Sequence, residues 1–268
     1  MPPLSLGLGV GLSKGGRSWI PTDLGAGLGL WLRSDLGITA PGAITTGWGD
    51  QGPRGLHFTQ AIGGSEPPYD TSGAFPAVVV GGAKWMQGSG AASAWRWLHE
   101  PSCSIYVVCA STLANPDALT PLLTTHDSGN NRGITLALED RTVVGDSRAR
   151  VLVSNGVVSN LDIQTASGAV PQQTVAIVEM KFAPAETIKA AIYRDGIPYT
   201  LNVPTGTMPT GDPQGPARLG RFYTYTDGQP TAIYEVIGCS PALSVAQASR
   251  VRRYLGARYG LAITEPGL

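Results

Sequence analysis

Short runs of apolar residues, separated by glycine, proline and polar clusters, make up most of this chain. The clearest run, residues 103–109, is apolar on both faces, which is typical of a strand buried between two layers. Asp195-Gly196 is a tight-turn signal for a hairpin between two further runs. About a dozen such runs at turn-separated intervals predict short strands in a β-sandwich or barrel.

One amphipathic helix is predicted near the C-terminus, over residues 244–259. Ser244 and Gln247 have the spacing of a capping box, and Gly260 is placed to end the helix in the left-handed conformation. Apolar residues between them recur every three or four positions and form one stripe. Four arginines fall outside this stripe and are expected on a solvent-exposed face: Arg250, Arg252, Arg253 and Arg258.

Leucine or valine alternates strictly with glycine or serine in the first residues of the chain. This period of two predicts a strand with one apolar face and one face almost without side chains. Because glycine-rich strands are weak alone, we expect this arm to pair with its own body or with a neighbouring subunit. Residues 1–25 are assigned to an N-terminal arm and hinge, and residues 26–268 to a folded domain. The apolar positions of the arm are Leu4, Leu6, Leu8, Val10 and Leu12.

Composition narrows the classes of partner. Of the 268 residues, 14% are charged, against about 25% in an average soluble protein. The formal net charge is zero, so no overall positive field would attract nucleic acid or an anionic membrane, and neither is an expected partner. No apolar run is long enough to predict a membrane span, and the first residues lack the pattern of a signal peptide.

The cysteines are few and odd in number, which argues against a disulfide framework and predicts folding in a reducing cytoplasm. Cys103 and Cys109 would lie about 20 Å apart in one strand, too far to bridge. We expect these two and Cys239 to be small buried apolar residues.

A set of short motifs spans residues 26–263 in a fixed order. The N-terminal half carries Leu30-Trp-Leu-Arg-Ser-Asp35, Trp48-x-Asp50-x-Gly52-x-x-Gly55 and Phe75-Pro-Ala-Val-Val79. The C-terminal half carries Tyr193-Arg-Asp-Gly196, Leu219-Gly220, Glu235 and Tyr254-Leu-x-x-x-Tyr-Gly260. Together they resemble the concanavalin A-like (laminin-G-like) jelly-roll domains found in virion and tail-associated proteins of tailed bacteriophages.

This resemblance implies two curved antiparallel sheets packed face to face. The predicted fold is therefore all-β: an antiparallel jelly-roll β-sandwich with one C-terminal α-helix and an extended N-terminal arm. The family's members bind carbohydrate, serve as structural or adhesive modules, or in some branches cleave glycans.

Catalytic residues are not predicted. Jelly-roll glycosidases need two carboxylates on one strand face, about 5–5.5 Å apart for retention. Glu139 and Asp140 are adjacent and would face opposite ways, while Glu179 and Glu235 are each alone in their strands. We expect Glu235 to be a structural carboxylate that caps a turn or meets an arginine. The chain is therefore predicted not to be an enzyme, with a glycan hydrolase as the least favoured alternative.

No metal or cofactor is predicted. The three histidines are scattered, and none has a second histidine or a cysteine at metal-ligand spacing. Calcium remains an alternative because laminin-G-like domains often hold it with loop carboxylates. The loop acids Asp127, Asp140 and Asp227 form no dense calcium-binding loop, however.

Aromatic side chains are the candidates for sugar contacts. Trp95 with Trp97, and Tyr223 with Tyr225, are i,i+2 pairs, so each pair would line one face of an extended segment. The alternative for both pairs is packing in the core or in an interface.

Two functional hypotheses follow, and they can coexist. The first is a non-enzymatic virion protein of a tailed phage, a decoration or tail-associated subunit that is assembled in the host cytoplasm. Its arm would anchor it to neighbouring virion subunits, including other copies of itself. The second is a receptor-binding module for host-surface polysaccharide that uses the loop aromatics.

Overall fold

The computed structural model describes residues 18–60, 62–111, 118–126, 131–140, 147–157, 159–166, 168–202, 209–222 and 228–265. The predicted arm positions Leu4, Leu6, Leu8, Val10 and Leu12 lie outside the described residues, as do Tyr223 and Tyr225. The roles predicted for them therefore stay predictions, as does the division into arm and domain.

Strands of two to nine residues are the main regular elements of the described chain. In chain order they are β1 (Leu28–Arg33), β2 (Ile38–Thr39), β3 (Gly47–Trp48), β4 (Phe58–Thr59), β5 (Tyr69–Asp70), β6 (Ala77–Val80), β7 (Met86–Gly88), β8 (Cys103–Ser111), β9 (Ala118–Thr124), β10 (Gly133–Asp140), β11 (Ser147–Ser154), β12 (Ser159–Gln164), β13 (Ala176–Phe182), β14 (Ala190–Arg194), β15 (Ile197–Asn202), β16 (Arg218–Leu219) and β17 (Thr231–Cys239).

These strands form two antiparallel sheets. The eight-stranded sheet has the order β15-β14-β13-β8-β17-β6-β5, and β1 also pairs with β17. The nine-stranded sheet has the order β12-β11-β10-β9-β16-β7-β4-β3-β2. Asp195 and Gly196, at φ +50° and +86°, make the predicted tight turn between β14 and β15. The predicted all-β sandwich is confirmed.

The main hydrophobic core lies between the two sheets. In β8, Ile105 and Val107 point into this core, while Tyr106 and Val108 point to the opposite face of the same sheet. Both sets are buried, as the apolar run predicts. The three cysteines, Cys103, Cys109 and Cys239, are buried and free, which confirms that they act as small apolar residues.

Helix α1 (Val245–Tyr259) covers the outer face of the eight-stranded sheet. Ser244 and Gln247 form the predicted capping box, and Gly260 ends the helix at φ +68°. Val251 and Leu255 pack in a second apolar cluster with residues of β1, β8, β13 and β17. The molecule therefore has three layers, and the eight-stranded sheet is the middle one.

The arginines of α1 do not all lie on a solvated face, contrary to the sequence prediction. Arg252 is 3% exposed and makes two hydrogen bonds to Glu179 of β13. Arg258 reaches Asp35 and Glu235 at 2.6 and 3.3 Å. The prediction was wrong for these two because their carboxylate partners lie far away in the sequence. Arg253 is exposed as expected.

The loop that follows β3 is held to β1 by one buried carboxylate. Asp50 accepts hydrogen bonds from the backbone amides of Trp31, Gly52 and Leu56, at 2.8 to 2.9 Å. A Cβ at Gly52 would lie 3.0 Å from the carboxylate, so glycine leaves room for this close approach. The Trp48-x-Asp50-x-Gly52 motif is thus a structural element of the sandwich.

Candidate functional site

The nine-stranded sheet has one face that no helix of the described chain covers. Its inward positions, such as Phe58, Met86, Leu219 and Leu136, belong to the main core. Because side chains alternate along a strand, the neighbouring positions point outward. The register aligns one outward residue from every strand in a continuous cross-strand line, which we call the outer row. The outer row is Thr39, Gly47, Thr59, Gln87, Arg218, Thr124, Thr135, Leu152 and Asp162.

Trp85 lies at the centre of this face, two residues before Gln87 and therefore on the same side. The Arg218 guanidinium stands over the indole, with its carbon 4.6 Å from the ring centroid, and a second guanidinium, from Arg221, lies at 5.6 Å. Arg218 also donates two hydrogen bonds to the Gln87 side-chain oxygen, at 3.1 and 3.2 Å. These contacts fix two planar polar groups against an aromatic ring, and we call the four residues the Trp85 site.

A charged cluster lies on the same face toward the β12 edge. Arg150 donates one hydrogen bond to Glu139, at 2.9 Å, and two to Asp162, at 2.8 and 2.6 Å. Arg148 beside it donates to Gln164 at 2.9 Å. At about 4.8 Å per strand, the four steps from β7 to β11 place this cluster roughly 19 Å from the Trp85 site.

The middle of the outer row is buried. Thr124 and Thr135 are fully buried, and their hydroxyls are hydrogen-bonded to each other at 2.6 Å. Thr59 and Asp162, nearer the two ends, are exposed, and Gln87 and Arg218 are partly exposed. The accessible polar groups of this face therefore lie at the Trp85 site, at the β12 edge, and at Thr59 and Thr39 toward the β2 edge.

Trp95 and Trp97 are not on an exposed extended segment, contrary to the sequence prediction. They lie in a 3₁₀ helix, Ala92–Leu98, and are 0% and 6% exposed. Trp97 packs on Gly29 of β1 and Gly238 of β17, and Trp95 packs on Gly88 of β7. Both indoles therefore pack in the core, which was the alternative to a sugar platform. They fit there because three glycines leave room for them.

Trp85 is an aromatic residue on the outer sheet face, and it is not among the sugar contacts predicted from the sequence. Its signal is present but weak: Trp85, Gln87 and the inward Met86 follow a period of two. The arginines above the ring come from β16 and the residues after it, more than a hundred positions later in the chain. Only the strand register brings them together.

Titratable groups are also buried beneath helix α1. Glu235 accepts hydrogen bonds from the Trp31 indole at 2.7 Å and from the Tyr259 hydroxyl at 2.9 Å. Burial raises the pKa of Glu235, and burial likewise raises that of Glu179. Glu235 also meets Arg258, as expected of a structural carboxylate. These groups hold the helix on the sheet and do not face the outer row.

A separate cavity of about 250 Å³ lies beside the start of β1. It is smaller than most ligand sites, which measure about 300–1,000 Å³. It is lined by Thr22, Gly25, Leu28, Gln51, Gly52 and Pro53. This lining has no charged side chain, so the cavity offers fewer polar groups for binding a ligand than the outer row does.

The described residues contain no group of three or more His, Cys, Asp or Glu side chains arranged to hold a metal ion. Asp127 and Asp227, two of the candidate calcium ligands, lie outside those residues. Among the residues that the structure covers, no helix is long and apolar enough to cross a membrane.

No family model matches this sequence, and no curated protein matches it. Solved structures with a similar fold include the binding domain of botulinum neurotoxin DC in complex with SialylT, with a TM-score of 0.59 and 10% identity over 85% of this chain and 52% of that one. The receptor-binding domain of botulinum neurotoxin type G has a TM-score of 0.57 and 9% identity over 84% of this chain and 51% of that one. Trypanosoma rangeli sialidase in complex with 2,3-difluorosialic acid has a TM-score of 0.55 and 16% identity over 90% of this chain and 34% of that one.

The chain spans about half the length of the two toxin domains and about a third of the sialidase. At identities this low, the similarity concerns the fold alone. It agrees with the predicted lectin-like β-sandwich, and the relationship to phage virion proteins stays a prediction.

Proposed function

We propose that this chain is a non-catalytic glycan-binding module that contacts saccharide through the accessible part of the outer row. One observation carries the proposal: Arg218 is held against Trp85 on the outer sheet face and donates two hydrogen bonds to the side chain of Gln87. On the opposite side of the sandwich, α1 packs on β1, β8, β13 and β17 and covers that part of the eight-stranded sheet.

The chemistry of this face suits polyhydroxylated ligands. The Gln87 amide and the Arg218 guanidinium are planar groups with several hydrogen-bonding atoms in fixed directions, and the Thr59 hydroxyl adds a donor and an acceptor beside them. Such groups, fixed by packing, bind a ligand at low entropic cost. A low overall charge also fits a ligand that is recognised by hydrogen bonds.

Proteins of similar fold support a glycan as the ligand class. One of the toxin domains is described in complex with SialylT, and the sialidase in complex with 2,3-difluorosialic acid. These ligands belong to those proteins, and they favour a saccharide over other small molecules here.

The carboxylates of the outer face argue against glycan cleavage. Both oxygens of Asp162 accept hydrogen bonds from the Arg150 guanidinium, and Glu139, which accepts one from the same group, is only 1% exposed. Neither carboxylate is placed for proton transfer to a glycan or for nucleophilic attack on it. A glycosidase needs one of its carboxyl groups available to the glycosidic oxygen. The arrangement therefore supports binding without hydrolysis.

A glycan array tests this proposal. The wild-type chain is expected to bind a defined set of saccharides, and Gln87→Ala together with Arg218→Ala should weaken that binding about tenfold or more, because two fixed hydrogen-bonding groups are lost. Arg253→Ala, on the exposed face of α1, is the control and should bind like the wild type. Absence of binding to every saccharide, including host-surface polysaccharides, would contradict the proposal.

A second proposed function is assembly into a virion through the N-terminal arm. The strict alternation of Leu4, Leu6, Leu8, Val10 and Leu12 with small residues favours strand pairing with a neighbouring subunit. Deletion of residues 1–14 should release the protein from particles. Particles that carry the shortened protein at full occupancy would exclude an anchoring role for the arm.

A further inference from the structure

The indole N–H of Trp85 lacks a hydrogen-bond acceptor among the described residues, although the side chain is only 6% exposed. Three other indoles donate normally: Trp31 to Glu235, Trp48 to the Arg33 carbonyl and Trp95 to the Ser89 carbonyl. The buried N–H of Trp97 in the core also lacks an acceptor among the described residues. Buried donors without acceptors are uncommon in folded proteins, and each calls for a specific explanation. Trp85, unlike Trp97, lies on the outer face of the nine-stranded sheet, beneath the guanidinium groups of Arg218 and Arg221, and its own N–H is closed to solvent.

Arg221 supplies a second donor at the same place. Its buried Nε atom has no hydrogen-bond partner within the described ranges, and its guanidinium makes no ion pair there with any Asp or Glu. The contact that the structure assigns to it is the one over the Trp85 ring, at 5.6 Å. The residue is only partly buried, so the terminal N–H groups of its planar fork are the ones that a ligand can reach.

The two unsatisfied groups are both donors, and one belongs to a permanent cation. Neither an indole N–H nor a guanidinium can accept a hydrogen bond. A ligand that pairs with Arg221 must therefore present oxygen acceptors, and a planar or tetrahedral oxyanion matches a guanidinium best. Arg218, 4.6 Å from the same ring, places a second positive charge beside the first.

We propose that the Trp85 site binds the anionic group of an acidic saccharide, a carboxylate or a sulfate ester. The terminal N–H groups of Arg221 donate to the oxyanion, Arg218 with Gln87 holds the adjoining sugar hydroxyls, and the Trp85 ring supports both guanidinium groups. This inference rests on the proposed glycan-binding function and adds the class of saccharide. Arg221 would thus recognise the negative charge of the saccharide, and Gln87 its uncharged ring.

The test uses the full chain on an array of matched saccharide pairs, in which each sialylated, uronic-acid or sulfated glycan is printed beside its desialylated, carboxyl-reduced or desulfated counterpart. The wild type should bind the acidic members, and raising the sodium chloride concentration should weaken that binding because the pair is screened. Arg221→Ala should lose about tenfold or more in affinity for acidic members. Trp85→Phe, which keeps a ring beneath the arginines but removes the N–H, should lose less, and Arg253→Ala should lose nothing.

Each contrary outcome has a distinct meaning. Equal binding of neutral and acidic members, or an Arg221→Ala variant that keeps full affinity for acidic glycans, overturns this inference and leaves the proposed function standing. Silence across both members of every pair defeats the proposed function together with it. Competition by sodium sulfate as strong as that by a sulfated glycan overturns the saccharide part, because it identifies a site for free anions. Circular dichroism and thermal unfolding confirm that each variant is folded.

Discussion

The guanidinium of Arg252 forms two hydrogen bonds to the carboxylate of Glu179, at 2.7 and 2.9 Å, beneath helix α1. The two side chains are only 4% and 3% exposed, so this pair joins the third layer to the middle one without help from water. Removal of one member of such a pair leaves an uncompensated buried charge.

Arg252→Ala should therefore lower the free energy of unfolding by about 3–5 kcal/mol. Urea unfolding followed by circular dichroism measures the change. Arg253→Ala is the matched control one position along the helix, since its side chain is 73% exposed, and it should change stability by less than about 0.5 kcal/mol. If the two variants are equally stable, the buried pair does not hold the helix.

Replacement of both partners should cost less than replacement of one. Arg252→Met combined with Glu179→Met removes both charges and fills the space with apolar atoms, so it should recover most of the stability lost in Arg252→Ala. A double variant as unstable as the single one would show that packing, and not the unpaired charge, sets the cost.

Gly238→Ala should lower the free energy of unfolding by about 1–3 kcal/mol, because overpacking strains a filled core. The added Cβ would lie 2.7 Å from the Trp97 indole, and 3.4 Å is the closest ordinary contact. Trp97→Phe in the same chain shortens the ring and should restore part of the loss. Gly27→Ala, with no atom near its added Cβ, is the control. Unchanged stability in Gly238→Ala would contradict this packing.

Glu100 makes stability depend on pH in the acid range. Hydrogen bonds from Arg96 and from the Gly211 amide lower the pKa of this carboxyl from 4.5 to about 2. The unfolded chain takes up this proton more readily than the folded one, so the stabilisation is complete above about pH 4.5 and is lost as the pH falls to about 2. Glu100→Gln should flatten this part of the curve of unfolding free energy against pH. A curve identical to that of the wild type would contradict the assignment.

Glu235 should act in the opposite direction. Burial raises its pKa above 4.5, so its contribution to stability is complete below that pH and is lost as the pH rises through the folded-state pKa. Glu235→Gln keeps an oxygen for the Trp31 indole and should remove this loss. The check is the free energy of unfolding of both proteins, measured from about pH 4.5 upward. If it falls equally with pH in the wild type and in Glu235→Gln, the assignment is contradicted.

The elements that could be predicted from the sequence are those with local signals. The capping box of Ser244 and Gln247, the left-handed Gly260 and the Asp195-Gly196 turn each depend on residues a few positions apart. The residues of β8 are apolar on both faces, and this local pattern by itself predicts a strand buried between two layers. Such patterns fix the type of element and, through strand number, the fold class.

What the sequence could not predict depends on distant partners. Trp95 and Trp97 look like an exposed strand pair, but the glycines that accommodate them come from β1, β7 and β17. Arg252 looks solvent-exposed because Glu179 lies 73 positions earlier. The outer row requires the register of nine strands, which no local pattern determines.

A crystal structure of the chain bound to its best array saccharide would show directly which surface binds the ligand. We expect the saccharide on the outer face of the nine-stranded sheet, over β7 and β16, within hydrogen-bond distance of Gln87 and Arg218. A saccharide bound elsewhere, in the cavity beside β1 or on the helix side, with the Trp85 site empty, would contradict the proposal.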